Sequence, residues 1–288
     1  MDLEGHIVEL TQLRYFQTAA YYQHISRAAE ELNISQPALS TMISRLEKEL
    51  GVPLFDHNGR SIILNQNGQR FLQRVNHILM EVENSKRELQ DIADEGDNSI
   101  SLAVSSSQFL QGMHAFMYQH PNYKWNQRVA ENKEIAALLN RGQIDLAVTS
   151  PGIYGEVFES TLLLRDIFKL AVHKDNPLAQ RKSVRLEELT DQRFIMLLKG
   201  LPFRAQTDRI FADLGITPHY IMECDHLLRR ELINANAGVT IASQSASFRH
   251  LFSENIRFLD IEDVHHTRDI VMVHRKGRYL NRASRQFA

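Results

Sequence analysis

The stretch from Ile25 to Gly51, ISRAAEELNISQPALSTMISRLEKELG, constrains this chain more than any other. Two helical patterns meet in it across a turn of about three residues, the spacing of two short helices that cross steeply. In the first, Ser26 is a candidate cap, Ala28, Ala29 and Leu32 make a small apolar face, and Asn33 suits the end. In the second, Ser35 reads as the N-cap, and Pro37 falls in the first turn, where its missing N–H would be unpaired anyway. Leu39, Ile43, Leu46 and Leu50 form the apolar stripe, and Gly51 ends the helix. Burial explains the stripe but not the entrance. Ser35, Gln36, Ser40 and Thr41 can donate to or accept from base edges and phosphates, and Ala38 can touch a thymine methyl. A plain helical hairpin has no use for such an end, whereas a helix-turn-helix presents it to the DNA major groove.

The flanking sequence extends this unit. ELTQLRYFQTAAYY spaces Leu10, Leu13, Phe16 and Ala20 as a helix. After Gly51, VPLFDHNGRSIILNQNG reads as strand, Asn58-Gly59 turn and strand, a wing with Arg60 at its tip or base. Arg60 is placed either to touch backbone phosphate or to sit solvated in the turn. From Gln66 to about Asp94, Phe71, Val75, Ile78, Val82, Leu89 and Ile92 keep a heptad seam that implies a partner helix, most simply that of a second copy. DEGDNS then reads as a linker. Beyond it strands and helices alternate, from SISLAVSS to DIVMVHRK, which predicts parallel α/β layers long enough for two small lobes. Ligands in such sheets gather beyond the carboxyl ends of the strands.

At 288 residues the chain is long enough for two or three cores. Its 43% apolar and 24% charged residues and the lack of a long apolar run point to a soluble protein with no membrane span. The acidic start MDLEGHIVEL does not resemble a secretory signal, and the lone Cys224 cannot form an internal disulfide, so a cytoplasmic location is expected. Up to Asn65, Arg14, Arg27, Arg45, Lys48 and Arg60 face Asp2, Glu4, Glu9, Glu30, Glu31, Glu47, Glu49 and Asp56. Eight acids against five bases are not the footprint of a strong non-specific nucleic-acid binder, so DNA binding must rest on local geometry.

The run LRYFQTAAYYQHISRAAEELNISQPALSTMISRLEKELGVPLFDHNGRSIILNQNG resembles the N-terminal domain of the LysR-type transcriptional regulators. SRAAEELNISQPALS followed by RLEKELGVPLF carries the resemblance closely over about the first 80 residues, and the rest follows the family's order of elements more loosely. It implies an α/β protein with an N-terminal winged helix-turn-helix over 1–65, a dimerising linker helix over 66–95 and a periplasmic-binding-protein-like effector domain over 96–288. Within the last, lobe I would take about 96–161 and 266–288, and lobe II about 162–265. It also implies double-stranded promoter DNA and a small-molecule effector as partners, self-association as dimer and tetramer, and RNA polymerase as a candidate contact. Ser35, Gln36, Pro37, Ala38 and Ser40 match the family's recognition helix, and Arg27 and Arg45 match basic positions near the DNA backbone. The chain departs at Thr41, Met42 and His57, where many relatives carry a basic residue, a glutamine and another basic residue; modest non-specific affinity and greater reliance on oligomerisation follow.

In the C-terminal part, positions matching the family's ligand contacts are Ser105, Ser106, Ser107, Glu131, Asn132, Thr149, Ser150, Leu198, Lys199, Gly200 and Leu201. Serine hydroxyls, helix N–H groups and Lys199 suit a small anion, although the serines could simply cap a helix. Asn236-Ala237-Gly238 replaces a glycine-rich step, and Asn tolerates the left-handed backbone it needs. No catalytic, metal or cofactor role is expected: the chain has no P-loop, GxGxxG, HExxH or GxSxG, and its 13 histidines are scattered. The competing readings are a cytoplasmic solute-binding module and a redox sensor built on Cys224.

Overall fold

The computed structural model describes residues 8–58, 61–93, 98–243 and 252–288. The chain divides near Asp97 into two compact units. The first contains α1 (Leu10–Tyr22), α2 (Ile25–Glu31), α3 (Gln36–Leu50), the strands β1 (Phe55–Asn58) and β2 (Ser61–Leu64), and α4 (Gln66–Ile92). Its core is built on the apolar positions read from the periodicity: Leu13, Phe16 and Ala20 of α1 against Leu39, Ile43 and Leu46 of α3, with Ile62 from the wing. The Phe16 ring lies 5.5 Å from that of Phe55 and 5.1 Å from that of Phe71, so the first helix joins wing and long helix in one cluster.

The helix ends follow their local chemistry. Ser35 Oγ accepts from the Ala38 N–H at 3.4 Å, and Gly51 closes α3 at φ 73°, where a side chain would be strained. Asn33 at φ 54° makes the turn between α2 and α3. Ser26 does not cap α2: His24 holds that position, and Ser26 lies inside the first turn. Gln23, left-handed at φ 48°, ends α1 and feeds α2 directly, so the second helix starts earlier than the serine suggests. Asn65 caps α4 by accepting from the Gly68 N–H at 2.9 Å, and its amide donates to the Pro53 carbonyl at 3.0 Å. A Cβ on Gly68 would stand 2.1 Å from the Leu54 carbonyl oxygen, so only glycine lets α4 pass this close to the wing.

The apolar seam of α4 has two uses. Phe71 and Val75 pack into the core of their own unit, with Gln17 Nε2 bonded to Asn76 Oδ1 at 2.7 Å alongside. Past that point Ile78, Leu89 and Ile92 are exposed. The seam available to a partner is therefore the distal part of the one read from the heptad.

The second unit runs β3 (Ser99–Val104), a 3-10 turn over Ser107–Met113, α5 (His114–Gln119), β4 (Lys124–Val129), α6 (Asn132–Asn140), β5 (Leu146–Thr149) and β6 (Phe158–His173). It continues with β7 (Ser183–Val184), β8 (Phe194–Leu197), α7 (Pro202–Asp213), β9 (Tyr220–Cys224), α8 (His226–Asn234), β10 (Thr240–Ser243), β11 (Ile256–Ile261), β12 (Thr267–Arg275) and α9 (Arg282–Phe287). The segment QFLQGMHAFMYQHP, which reads as one helix, is instead the 3-10 turn followed by the short α5.

Parallel pairing holds for β4-β3-β5, β8-β9 and β11-β7. The centre of the large sheet departs from the parallel expectation: β12 is antiparallel to both β5 and β6, and β6 is antiparallel to β10 and β11. β6 is long enough to serve both cores: its 16 residues span roughly 50 Å, and β12 runs antiparallel along its first part. Alternate side chains bury both faces of the sheet. Leu102, Leu146, Ile270 and Met272 lie on one face near β3, and Ala103, Ala147, Val271 and Val273 lie on the other. Around β8 the same alternation sends Phe194 and Met196 to one side and Ile195 to the other.

Candidate DNA interface and effector cleft

On α3, Ser35, Gln36, Pro37, Ala38, Ser40 and Thr41 are all exposed, while Leu39, Ile43 and Leu46 beneath them are buried. The polar entrance is thus an outward surface. Thr41 Oγ1 donates to the Pro37 carbonyl at 2.9 Å, which leaves its oxygen as an acceptor. Arg27 is exposed on α2. Arg45 is exposed and held by Glu49 at 2.9 Å, so that it stands in a defined position along the helix. Arg60 lies outside the described residues.

The acids that weighed against DNA binding are partly consumed inside this unit. Glu47 Oε1 accepts from the Leu54 and Phe55 N–H groups at 2.7 and 3.2 Å, tying α3 to the wing. Glu49 accepts from Gln12 Nε2 at 3.1 Å besides pairing with Arg45, and Glu31 accepts from the Tyr22 hydroxyl at 2.8 Å. Their carboxylates keep their charge but are held within the fold, and the Arg45–Glu49 pair cancels one base as well as one acid, so DNA binding rests on where the cations and the polar turn stand rather than on net charge.

In the second unit, neighbouring parallel strands end at Val104 and Thr149, and the residues that follow are tied together. Ser105 Oγ accepts from the Ser150 N–H at 3.1 Å, and the Ser105 N–H donates to the Val148 carbonyl at 3.1 Å. Ser106 caps the 3-10 turn through the Gln108 N–H at 3.4 Å, and Ser107 is exposed. Thr149 and Ser150 are buried, and Thr149 Oγ1 has no hydrogen-bond partner among the described residues. Glu131 is exposed; Asn132 donates from Nδ2 to the Pro151 carbonyl at 2.8 Å. Leu198, Lys199 and Gly200 are exposed on the turn before α7, and Leu201 packs against the adjacent core.

Other residues complete the cleft around Ser150. Arg268 Nε donates to Ser150 Oγ at 3.2 Å, and Gln206 Nε2 reaches the same oxygen at 3.5 Å. The Arg268 guanidinium stands 5.2 Å from the Phe109 ring and 4.8 Å from that of Phe203. Asp166 lies beside it, with its carboxylate on the Ser243 hydroxyl and on the Ile167 N–H. Ser150, Phe168, Gln206, His266 and Arg268 line a pocket of about 280 Å³. Arg229 of α8 shares the Phe203 ring at 5.5 Å. Burial lowers the pKa of Arg229 and of Arg268 to about 10, which leaves both charged at neutral pH. His226 is pushed down to about 4, first by burial and then by these two arginines, and is therefore neutral.

Sequence reasoning found the strand-end serines and threonine but not Gln206, Arg229 or Arg268. An arginine on a helix, like Arg229, or at the start of a strand, like Arg268, reads as a solvent-facing residue, and no local pattern marks one that faces the core. Cys224 is buried beside the Met196 carbonyl, and burial raises its thiol pKa, the opposite of what a reactive thiol needs. Among the described residues no three His, Cys, Asp or Glu side chains group to hold a metal ion, and no helix is long and apolar enough to cross a membrane.

Two family descriptions match the chain: "Bacterial regulatory helix-turn-helix protein, lysR family" over residues 10–69, and "LysR substrate binding domain" over residues 94–288. The uncharacterized HTH-type transcriptional regulator YybE of Bacillus subtilis (strain 168) is 35% identical over 75% of this chain and 75% of its own length. The RuBisCO operon transcriptional regulator of Allochromatium vinosum is 25% identical over 97% and 94%. Among solved structures, a full-length OxyR variant from Pseudomonas aeruginosa superposes with a TM-score of 0.66 at 21% identity, covering 95% of this chain and 91% of that one. Full-length CbnR complexed with its target DNA superposes at 0.53 and 24%, covering 98% and 100%. These two likenesses show the fold.

Proposed function

Because the chain belongs to the LysR family of transcriptional regulators, with a DNA-binding helix-turn-helix and an effector-binding domain, we propose how its own residues divide the work. Ser35, Gln36, Pro37, Ala38, Ser40 and Thr41 read the major groove of promoter DNA, and Arg27, Arg45 and Arg60 meet the phosphates. The observation that carries this is the outward polar turn of α3 above the buried Leu39, Ile43 and Leu46. Residues 1–65 form the DNA-binding domain, and the distal part of α4, within 66–95, joins two copies, which pair again into a tetramer. Residues 96–288 form the effector domain, whose lobes meet along β6. The cleft at Ser105, Thr149, Ser150, Gln206 and Arg268 takes a small anionic effector, for which a buried positive charge is the supporting feature. The protein then works in the cytoplasm, where promoter DNA and RNA polymerase are, and has no catalytic role.

An anisotropy titration of the full chain against its own upstream DNA tests the first part. Gln36→Glu and Ser40→Glu each lose on the order of a hundredfold in affinity, since each removes a base contact and adds a charge near phosphate. Unchanged affinity in both variants overturns the assignment of α3.

A further inference from the structure

We infer that Arg229 binds the charged group of the effector, and that this group is a small oxyanion, a carboxylate or a phosphate. The inference rests on the cleft assignment above and adds to it a residue outside the strand-end positions.

Arg229 is 6% exposed on α8. Its Nη1 donates to the Ile241 carbonyl at 3.3 Å, and its Nε is buried without a partner. Among the described residues no carboxylate stands within ion-pair distance of it. Arg204, on the neighbouring α7, shows how this fold otherwise treats a buried guanidinium: Asp208 and Glu223 pair with it at 2.6 and 2.7 Å. The residues from 244 to 251, Gln-Ser-Ala-Ser-Phe-Arg-His-Leu, include no acid, so that segment cannot supply the missing charge either.

The orientation of α8 sharpens the point. The helix turns Arg229 and Ile233 inward and leaves Leu227 and Leu228 exposed, so a core-facing position holds a cation while leucines face out. Such a placement is costly unless something neutralises the charge. Arg268, on a different element, stands over the same Phe203 ring and repels Arg229, and Asp166 balances only one of the two. An oxyanion supplies the second negative charge and suits the planar fork of donors on a guanidinium. His226, one turn earlier on α8, has a buried Nδ1 without a partner, and Thr149 beside Ser150 has an unpartnered hydroxyl.

Thermal melting of the full chain in acetate, in inorganic phosphate and in chloride at equal ionic strength tests this, with Arg229→Met, Arg229→Lys and Arg268→Met alongside. In the unaltered protein, acetate or phosphate raises Tm saturably above chloride, and which of the two acts separates a carboxylate site from a phosphate site. Arg229→Met melts higher than the parent in chloride, because an uncompensated buried charge is gone, and loses the oxyanion response. Arg229→Lys, which keeps the charge without the fork, binds at least about tenfold more weakly. An Arg229→Met protein that melts lower in chloride and keeps the full response makes Arg229 a packing residue. If Arg268→Met alone abolishes the response, the cleft stands and the role of Arg229 falls; if neither oxyanion shifts the parent, both fall.

Discussion

Gly238 and Asn236 show how a single backbone position decides local structure. Asn236 takes the left-handed turn at φ 55°, as its residue type suggested. Gly238 answers a different demand, since a Cβ there would stand 2.2 Å from the Arg193 carbonyl oxygen, which itself accepts the Val239 N–H at 2.9 Å. Gly238→Ala should therefore cost about 3 kcal/mol in urea unfolding, because backbone must move to admit the methyl. Ser35→Ala should cost only about 1 kcal/mol, the value of a lost cap. Residues of this kind were legible because turns and caps are written locally. Arg229 and Arg268 were not: their meaning depends on what surrounds them in three dimensions, and α8 even misleads by exposing the leucines that periodicity would bury.

Among the elements, α1 to α3 follow their sequence periods closely because each packs on neighbours close in the chain, although Leu10, read as part of the α1 stripe, is exposed at the helix start and α2 begins before its expected cap. The sheet was less legible. β11 carries its buried residues at Ile256, Leu259 and Ile261 rather than in strict alternation, so its period does not mark it as a strand. The course of β6 through two cores has no local signature, since its pairing partners lie about a hundred residues downstream at Thr267 to Arg275. The long helix gives a prediction that separates its two halves. Val75→Ala should lower the stability of the first unit by about 2 kcal/mol through the cavity it leaves. Leu89→Asp with Ile92→Asp should leave that stability unchanged and shift sedimentation from oligomer to monomer, because both side chains are exposed on one copy. An oligomer that survives both aspartates would show that the distal seam is not the contact.

Taken as a whole, the molecule should be acid-sensitive through His226 at the start of α8. His226 has a folded pKa of about 4 against the ordinary 6.5, so both states are neutral above pH 6.5 and the contribution is fully present there. As pH falls through 6.5 toward 4 the unfolded chain takes up a proton that the folded chain does not, and stability is lost. Between pH 7 and 5 this amounts to about 2 kcal/mol. Denaturant unfolding at the two pH values should show the loss, and His226→Gln should flatten it; a variant with the parental slope would assign the acid sensitivity elsewhere.

The course of β6 has a mechanical consequence. As far as Ile167 the strand is bonded to β12, and from Phe168 onward to β10 and β11, so it changes partners within a single step. A rod gripped by different clamps on either side of one point can twist there and hardly anywhere else. Asp166, Ser243 and Arg268 are gathered at that point. A molecule bound at this cluster would sit where the two halves of β6 part company, so any load it applied would fall on that junction rather than inside either core.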